Sequence, residues 1–353
     1  MTIKRLLTGV ALSLSLLGAT TASASVDPER ERALGMALAE SVVQPVYQRF
    51  ATNSEALAKD LRAYCSGADA GAIDDSRETY RRALHDWMFL QAINWGPAAE
   101  RNRHPSLYFW PDKKDIGSRQ LRALIADADP ATLKPAYFDN ASIAVSGLSA
   151  LERLLFADKA PEPGSYRCDL AAAIAGNSQR IAVELAREWP DFVEEWRLAL
   201  DPRGSIKLML KSMDEIAQIV SQQKIGMPLG SNPDHARARR AESWRSGQSL
   251  DNIGANLDFI AALLHGTDGQ AGMMPLIAEQ DSDLAEVLEA QLLTTEEMLH
   301  GLGQPLESAV EDPSARHRLM MLQANVDALQ TLLAGDVSGA LGITLGFNSR
   351  DGD

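Results

Sequence analysis

Gly147–Leu148–Ser149–Ala150–Leu151–Glu152–Arg153–Leu154–Leu155–Phe156 places leucines at 148, 151, 154 and 155, the three- and four-residue spacing of one helical face. Ser149 and Glu152, three apart, share a second face. That face is either an ordinary solvated stripe or a hydroxyl and a carboxylate turned toward a ligand. Gly147 removes bulk at the helix start, so that another backbone or a ligand can approach closely, and Ser146 is placed to cap the first turn.

The same spacing recurs along the chain. Glu29–Tyr64, Asp75–Asn94, Ala171–Trp189 and Gly204–Ser221 predict amphipathic helices, as do Ser249–Leu264, Asp281–Leu299 and Pro313–Leu333. Strand-like alternation of any length is missing, and the composition is rich in Ala and Leu. An all-α fold of two helical bundles follows. Its length exceeds what one core usually serves. Asp201–Pro202–Arg203–Gly204 is the best breaker between the long periodic regions, giving a first bundle over 25–200 and a second over 201–353. Gly226–Pro233 reads as a loop within the second.

Lys4 and Arg5 precede the apolar run Leu6–Leu17, and Ala22–Ser23–Ala24 is a small-residue cleavage site. Residues 1–24 therefore read as a cleaved signal peptide, and the expected location is a bacterial periplasm, with no membrane insertion after cleavage. Cleavage removes two cations and moves the formal net charge from −14 to −16. That argues against nucleic acid and anionic membranes as partners, since both need a positive footprint. Cys65 and Cys168 are the only cysteines. In an oxidising compartment they predict one structural disulfide rather than two free thiols.

Two further segments concentrate unusual side chains. Asn102–Asp112 is dense in aromatic and polar groups and ends in Trp110–Pro111–Asp112, a rigid wall of the kind that lines pockets. Trp244–Leu257 opens a helix in which Ser249, Asn252 and Asn256 form a polar stripe beside Leu250, Ile253 and Leu257. Amides inside a helix cost propensity, so the stripe serves bonds between helices or a ligand. Arg245 is placed to hold an acidic group, Glu152 among the candidates. At the end, Leu341–Asn348 runs into Asp351–Gly352–Asp353, with Gly342 and Gly346 four apart. A terminus this apolar is expected to dock on the bundles and close one side of a cleft, with Asn348 at its edge.

Four of these stretches, Trp110–Asp112, Gly147–Phe156, Trp244–Leu257 and Leu341–Asp353, together resemble the imelysin-like proteins, a bacterial family linked to iron and also classified among peptidases. The resemblance spans essentially the whole mature chain. It implies two helical bundles with a functional cleft between them, and it makes Glu152 the central polar residue. Around it the expected ligand-binding cleft contains Asp112, Gly147, Ser149, Arg245, Ser249, Asn252 and Asn348. The family pattern is Gly-x-His-x-x-Glu, and this chain departs from it with Ser149 in the His place. A hydroxyl is a poor substitute for imidazole on zinc or iron. Glu152 is then the one metal-ligand candidate, and iron or another divalent cation is expected to be held weakly or only within a complex.

Three functions follow from the resemblance and the residues. The preferred one is a non-enzymatic periplasmic protein of iron acquisition that binds a metal, a metal complex or an uptake partner of the envelope. The alternatives are a metal-dependent peptidase and a purely structural interaction protein. The chain has no His-Glu-x-x-His and no Gly-x-Ser-x-Gly, which removes the usual helical zinc-protease engine and the nucleophile elbow.

Overall fold

The computed structural model describes residues 27–67, 73–267 and 269–346. The signal segment, Asn348 and the acidic terminus lie outside the described residues. Those described form helices and turns, with no strand among them.

The first helices are α1 (Pro28–Leu38), α2 (Gln44–Cys65) and α3 (Ile73–Leu90). A π-helical turn, Ala39–Val43, joins α1 to α2, so the periodic run predicted over 29–64 is one continuous helical path. Three shorter helices follow: α4 (Arg103–Leu107), α5 (Ile116–Asp127) and α6 (Leu148–Leu155). The longest is α7 (Tyr166–Leu198). It continues past Trp189 through Pro190, where the periodic reading stopped. Trp189 and Trp196 flank that proline and are buried among Trp95 and Phe192, so packing outweighs the lost backbone bond.

The chain resumes with α8 (Gly204–Gln218) and a π-helical segment, Ile219–Ile225, that leads into α9 (Gly226–Leu229). The stretch expected as a loop from Gly226 is therefore helical in its first four residues. Next come α10 (Ser249–His265), α11 (Met274–Gln280), α12 (Ser282–His300), α13 (Leu306–Glu311), α14 (Pro313–Thr331) and α15 (Ser338–Ala340). Several starts are set by local chemistry. Asp281 and Asp312 accept from the third backbone N–H beyond them, and Pro313 occupies the first turn of α14.

Helix α2 packs on α3 and α7, while α14 packs on α8, α12 and α13. The two groups meet where α3 lies on α10 and where α1 lies on α8. Buried apolar side chains from Met36 to Ile343 form one continuous cluster across this seam. At one end of the molecule Cys65 and Cys168 are bonded, closing a separation of 103 residues between the end of α2 and the start of α7. At another, Arg203 pairs with the buried Glu31 of α1 and donates to the carbonyls of Leu341 and Gly342. One guanidinium from the breaker segment thus ties the N-terminal helix to the docked end, where Leu341 and Ile343 are buried.

Candidate functional site

Helix α6 is short but firmly held. Tyr80 donates to the Leu148 carbonyl at 3.2 Å, and Arg77 and Arg167 donate to the last carbonyls, at Leu155 and Leu154. Cations at a helix C-terminus satisfy orphan acceptors and oppose the dipole there. At the other end a Cβ on Gly147 would stand 2.2 Å from the carbonyl oxygens of Ser106 and Leu107. The close approach foreseen at Gly147 is therefore made by backbone. Ser146 is not the cap. Its hydroxyl donates to the Ser106 carbonyl at 3.1 Å, and no side chain caps the first turn.

The Ser149–Glu152 face is not a solvated stripe, since Ser149 is 4% and Glu152 5% exposed. Ser149 Oγ accepts the Phe109 N–H at 3.2 Å. Glu152 Oε1 accepts the backbone N–H groups of Arg245 at 3.1 Å and Ser246 at 3.0 Å, with the Ser246 hydroxyl also 3.0 Å away. Arg245 thus reaches Glu152 through its backbone, while its guanidinium lies 4.3 Å from the centre of the Trp244 ring. Burial raises the Glu152 carboxyl above its ordinary range, and the Ser246 bonds and the charges of Arg245 and Arg153 pull it part of the way back.

Asp112 is occupied as well. Its two oxygens accept the Ile116 and Gly117 N–H groups at 2.8 Å, and Arg153 reaches Oδ2 at 3.1 Å. It fastens the first turn of α5 to α6. Ser249 and Asn252 sit below the cleft rather than along it. Ser249 donates to the Glu242 carbonyl at 2.5 Å and lies against Glu307, and Asn252 donates to Glu242 and Ser243 at 2.9 and 3.0 Å. Asn256 donates to the Met88 carbonyl at 2.6 Å. The polar stripe of α10 therefore bonds that helix to the turn before it, to α13 and to α3. His104 lies 2.8 Å from the Gln91 carbonyl and packs on Trp87.

These elements enclose a cleft of about 610 Å³, walled by Tyr108, Trp110, Ser149, Glu152, Met227 and Trp244. Of the expected site residues it brings together Asp112, Ser149, Glu152 and Arg245, and it leaves out Gly147, Ser249 and Asn252. The sequence reading missed its other cations, Lys113, Arg239 and Arg240. The run Arg237–Ala238–Arg239–Arg240 in an acidic chain was the available signal. Ser246, which completes the Glu152 bonds, had none. A larger groove of about 890 Å³ crosses α3, α10 and α12. Much of its charge is paired internally, Arg49 with Asp86 and Arg81 and Arg82 with Glu78. Among the described residues no group of three or more His, Cys, Asp or Glu could hold a metal ion.

The family model described as Imelysin matches residues 43–333, most of the chain. The chain belongs to the imelysin family. This imelysin is 23% identical over 325 residues to "Iron-regulated protein A" of Synechococcus elongatus, covering 84% of this chain and 83% of that protein. An imelysin-like protein from Psychrobacter arcticum superposes with a TM-score of 0.76 at 18% identity, over 92% of this chain and 99% of that one. A chain described as an iron-regulated protein A precursor, from Parabacteroides distasonis, does so at 0.73 and 18%, over 91% and 97%. At these identities the solved structures speak for the fold. The all-α imelysin architecture expected from sequence is the one observed.

Proposed function

We propose that this imelysin is an exported, non-enzymatic periplasmic protein of iron acquisition, and that it takes iron within a complex rather than as a bare ion. One observation carries the second half of that reading: most of the buried oxygen ligands of the cleft already accept hydrogen bonds from the protein. Both oxygens of Asp112, one oxygen of Glu152 and the Ser149 hydroxyl accept hydrogen bonds from the protein. Bare Fe²⁺ or Zn²⁺ would have to displace them, with no imidazole within the set to compensate. Among the described residues the geometry does not fit a resident metal. The iron connection rests on the name of the Synechococcus relative and on family membership. Export rests on the signal-like pattern of residues 1–24, and no helix among the described residues is long and apolar enough to cross a membrane.

Calorimetric titration at one pH tests this. Wild-type protein should bind free Fe²⁺ or Zn²⁺ weakly, and a ferric chelate tightly. Ser149→His, which completes a His-x-x-Glu pair on one helical face, should strengthen free-metal binding. Tight stoichiometric binding of the free ion by wild type that survives Glu152→Gln would place the metal elsewhere and end this reading.

A further inference from the structure

The charge of the cleft is opposite to that of the molecule. The chain carries a formal net charge of −14, yet five of the residues lining the cleft are cations and three are carboxylates. Two of the three carboxylates are engaged, and the third, Asp115, is exposed and adds a negative charge near Arg245. Asp112 is paired with Arg153, and Glu152 is held by N–H groups. Among the described residues Lys113, Arg239, Arg240 and Arg245 have no carboxylate within ion-pair distance. Arg239 and Arg245 both lie against the Trp244 ring, at 5.3 and 4.3 Å from its centre. Two guanidiniums on one indole repel each other. The ring's negative π-surface offsets part of that cost, and an anion within reach of both would offset more. Partial burial pushes the Arg245 guanidinium below its ordinary value, the charges of Arg153 and Arg239 add to that, and Glu152 and Asp115 oppose it.

We infer that the cleft is a seat for a small polycarboxylate, with Arg245 and Arg239 as its principal anchors and Arg240 and Lys113 at the rim. Planar guanidiniums match carboxylates through paired N–H donors, whereas a bare cation would be repelled by the same groups. Trp110, Pro111, Met227 and Trp244 supply an apolar wall for the carbon frame. A polycarboxylate is also a hard oxygen chelator, so the ligand itself would bring the iron donors that the protein lacks. This rests on the iron-complex reading above for its purpose, but not for its chemistry.

Citrate free of iron is the probe. Calorimetry on the purified protein should show one citrate bound per chain. Arg245→Gln and Arg239→Gln should each weaken it at least about tenfold, with cooperative unfolding and thermal midpoints close to wild type because neither side chain is in the core. Arg245→Lys should restore only part of the loss, since an ammonium lacks the planar fork. Affinity should fall as salt rises. No citrate heat in the wild type, equal binding in the Arg239→Gln/Arg245→Gln double variant, or inorganic phosphate binding more tightly than citrate would each overturn the seat. Ferric citrate separates the two proposals. Citrate binding without any ferric citrate binding keeps the seat and removes the iron role. A ferric complex of a neutral chelator that binds where citrate does not keeps the iron role and removes the seat.

Discussion

Two buried carboxylates, Glu152 and Glu242, stand close to the same cleft and are neutralised in opposite ways. Glu242 meets Lys224 at 2.6 Å, with both side chains 1% exposed, and is further bonded by Asn252. Glu152 meets no cation in an ion pair among the described residues, only N–H and hydroxyl donors from the 245–246 turn. The first is a sealed joint between the π-helical segment after α8 and the segment before α10. The second faces the cleft, and its burial is not fully compensated, as its raised carboxyl shows. Glu242 thus belongs to the architecture, while Glu152 lines the cleft and is held there by donors without a paired cation.

That contrast breaks most readily at the ion pair. Lys224→Met leaves Glu242 buried without its cation and should destabilise by about 3–5 kcal/mol in urea unfolding, with Glu242→Gln alone close behind. The Lys224→Met/Glu242→Gln double variant should recover most of the loss. A single variant as stable as wild type would mean that the joint is not sealed.

A smaller loss is expected at Gly147. Its alanine variant forces a Cβ against the carbonyls of Ser106 and Leu107, so α6 must shift at a cost of about 1–3 kcal/mol. Because that shift moves Glu152 away from its donors, the pH dependence of stability should change with it. A destabilised Gly147→Ala protein with an unaltered pH profile would separate α6 from the Glu152 environment.

The least effect, and the most telling, belongs to Glu152→Gln. A carboxyl raised by burial favours its protonated form in the folded state. Its contribution to stability is full below the ordinary value of 4.5 and is lost as pH rises through the folded value. The glutamine variant mimics the protonated form. It should therefore equal or slightly exceed wild type near neutrality, and the difference should vanish toward pH 4.5. A clear loss at neutral pH would make Glu152 a structural residue like Glu242.

Much of the fold was legible because helical periodicity is a local property. The runs at 29–64, 249–264 and 281–299 carry their own apolar faces, and Asp281 and Asp312 announce the helix starts that follow them. The reading stopped short at Trp189 because propensity counts Pro190 as a stop, whereas a cluster of indole and phenyl rings from distant segments overrides it. In the site, Glu152 and Ser149 were correctly placed on one face, but whether that face was wet or buried depended on Phe109 and the 245–246 turn, about forty and ninety residues away.

By itself the sequence determined most of the long helices, the imelysin membership, the departure at Ser149 and the pairing of the only two cysteines. Each of these is written in spacing, motif or count. Only the tertiary structure decided that Asp112 is a helix fastener, that Ser249 and Asn252 tie α10 to the turn before it, and that Arg239 and Arg245 share one indole in an acidic protein. The physical reason is that a polar side chain's role depends on which donors and charges lie within about 3–4 Å of it. In a helical bundle those neighbours come from segments whose order along the chain says little about their distance in space.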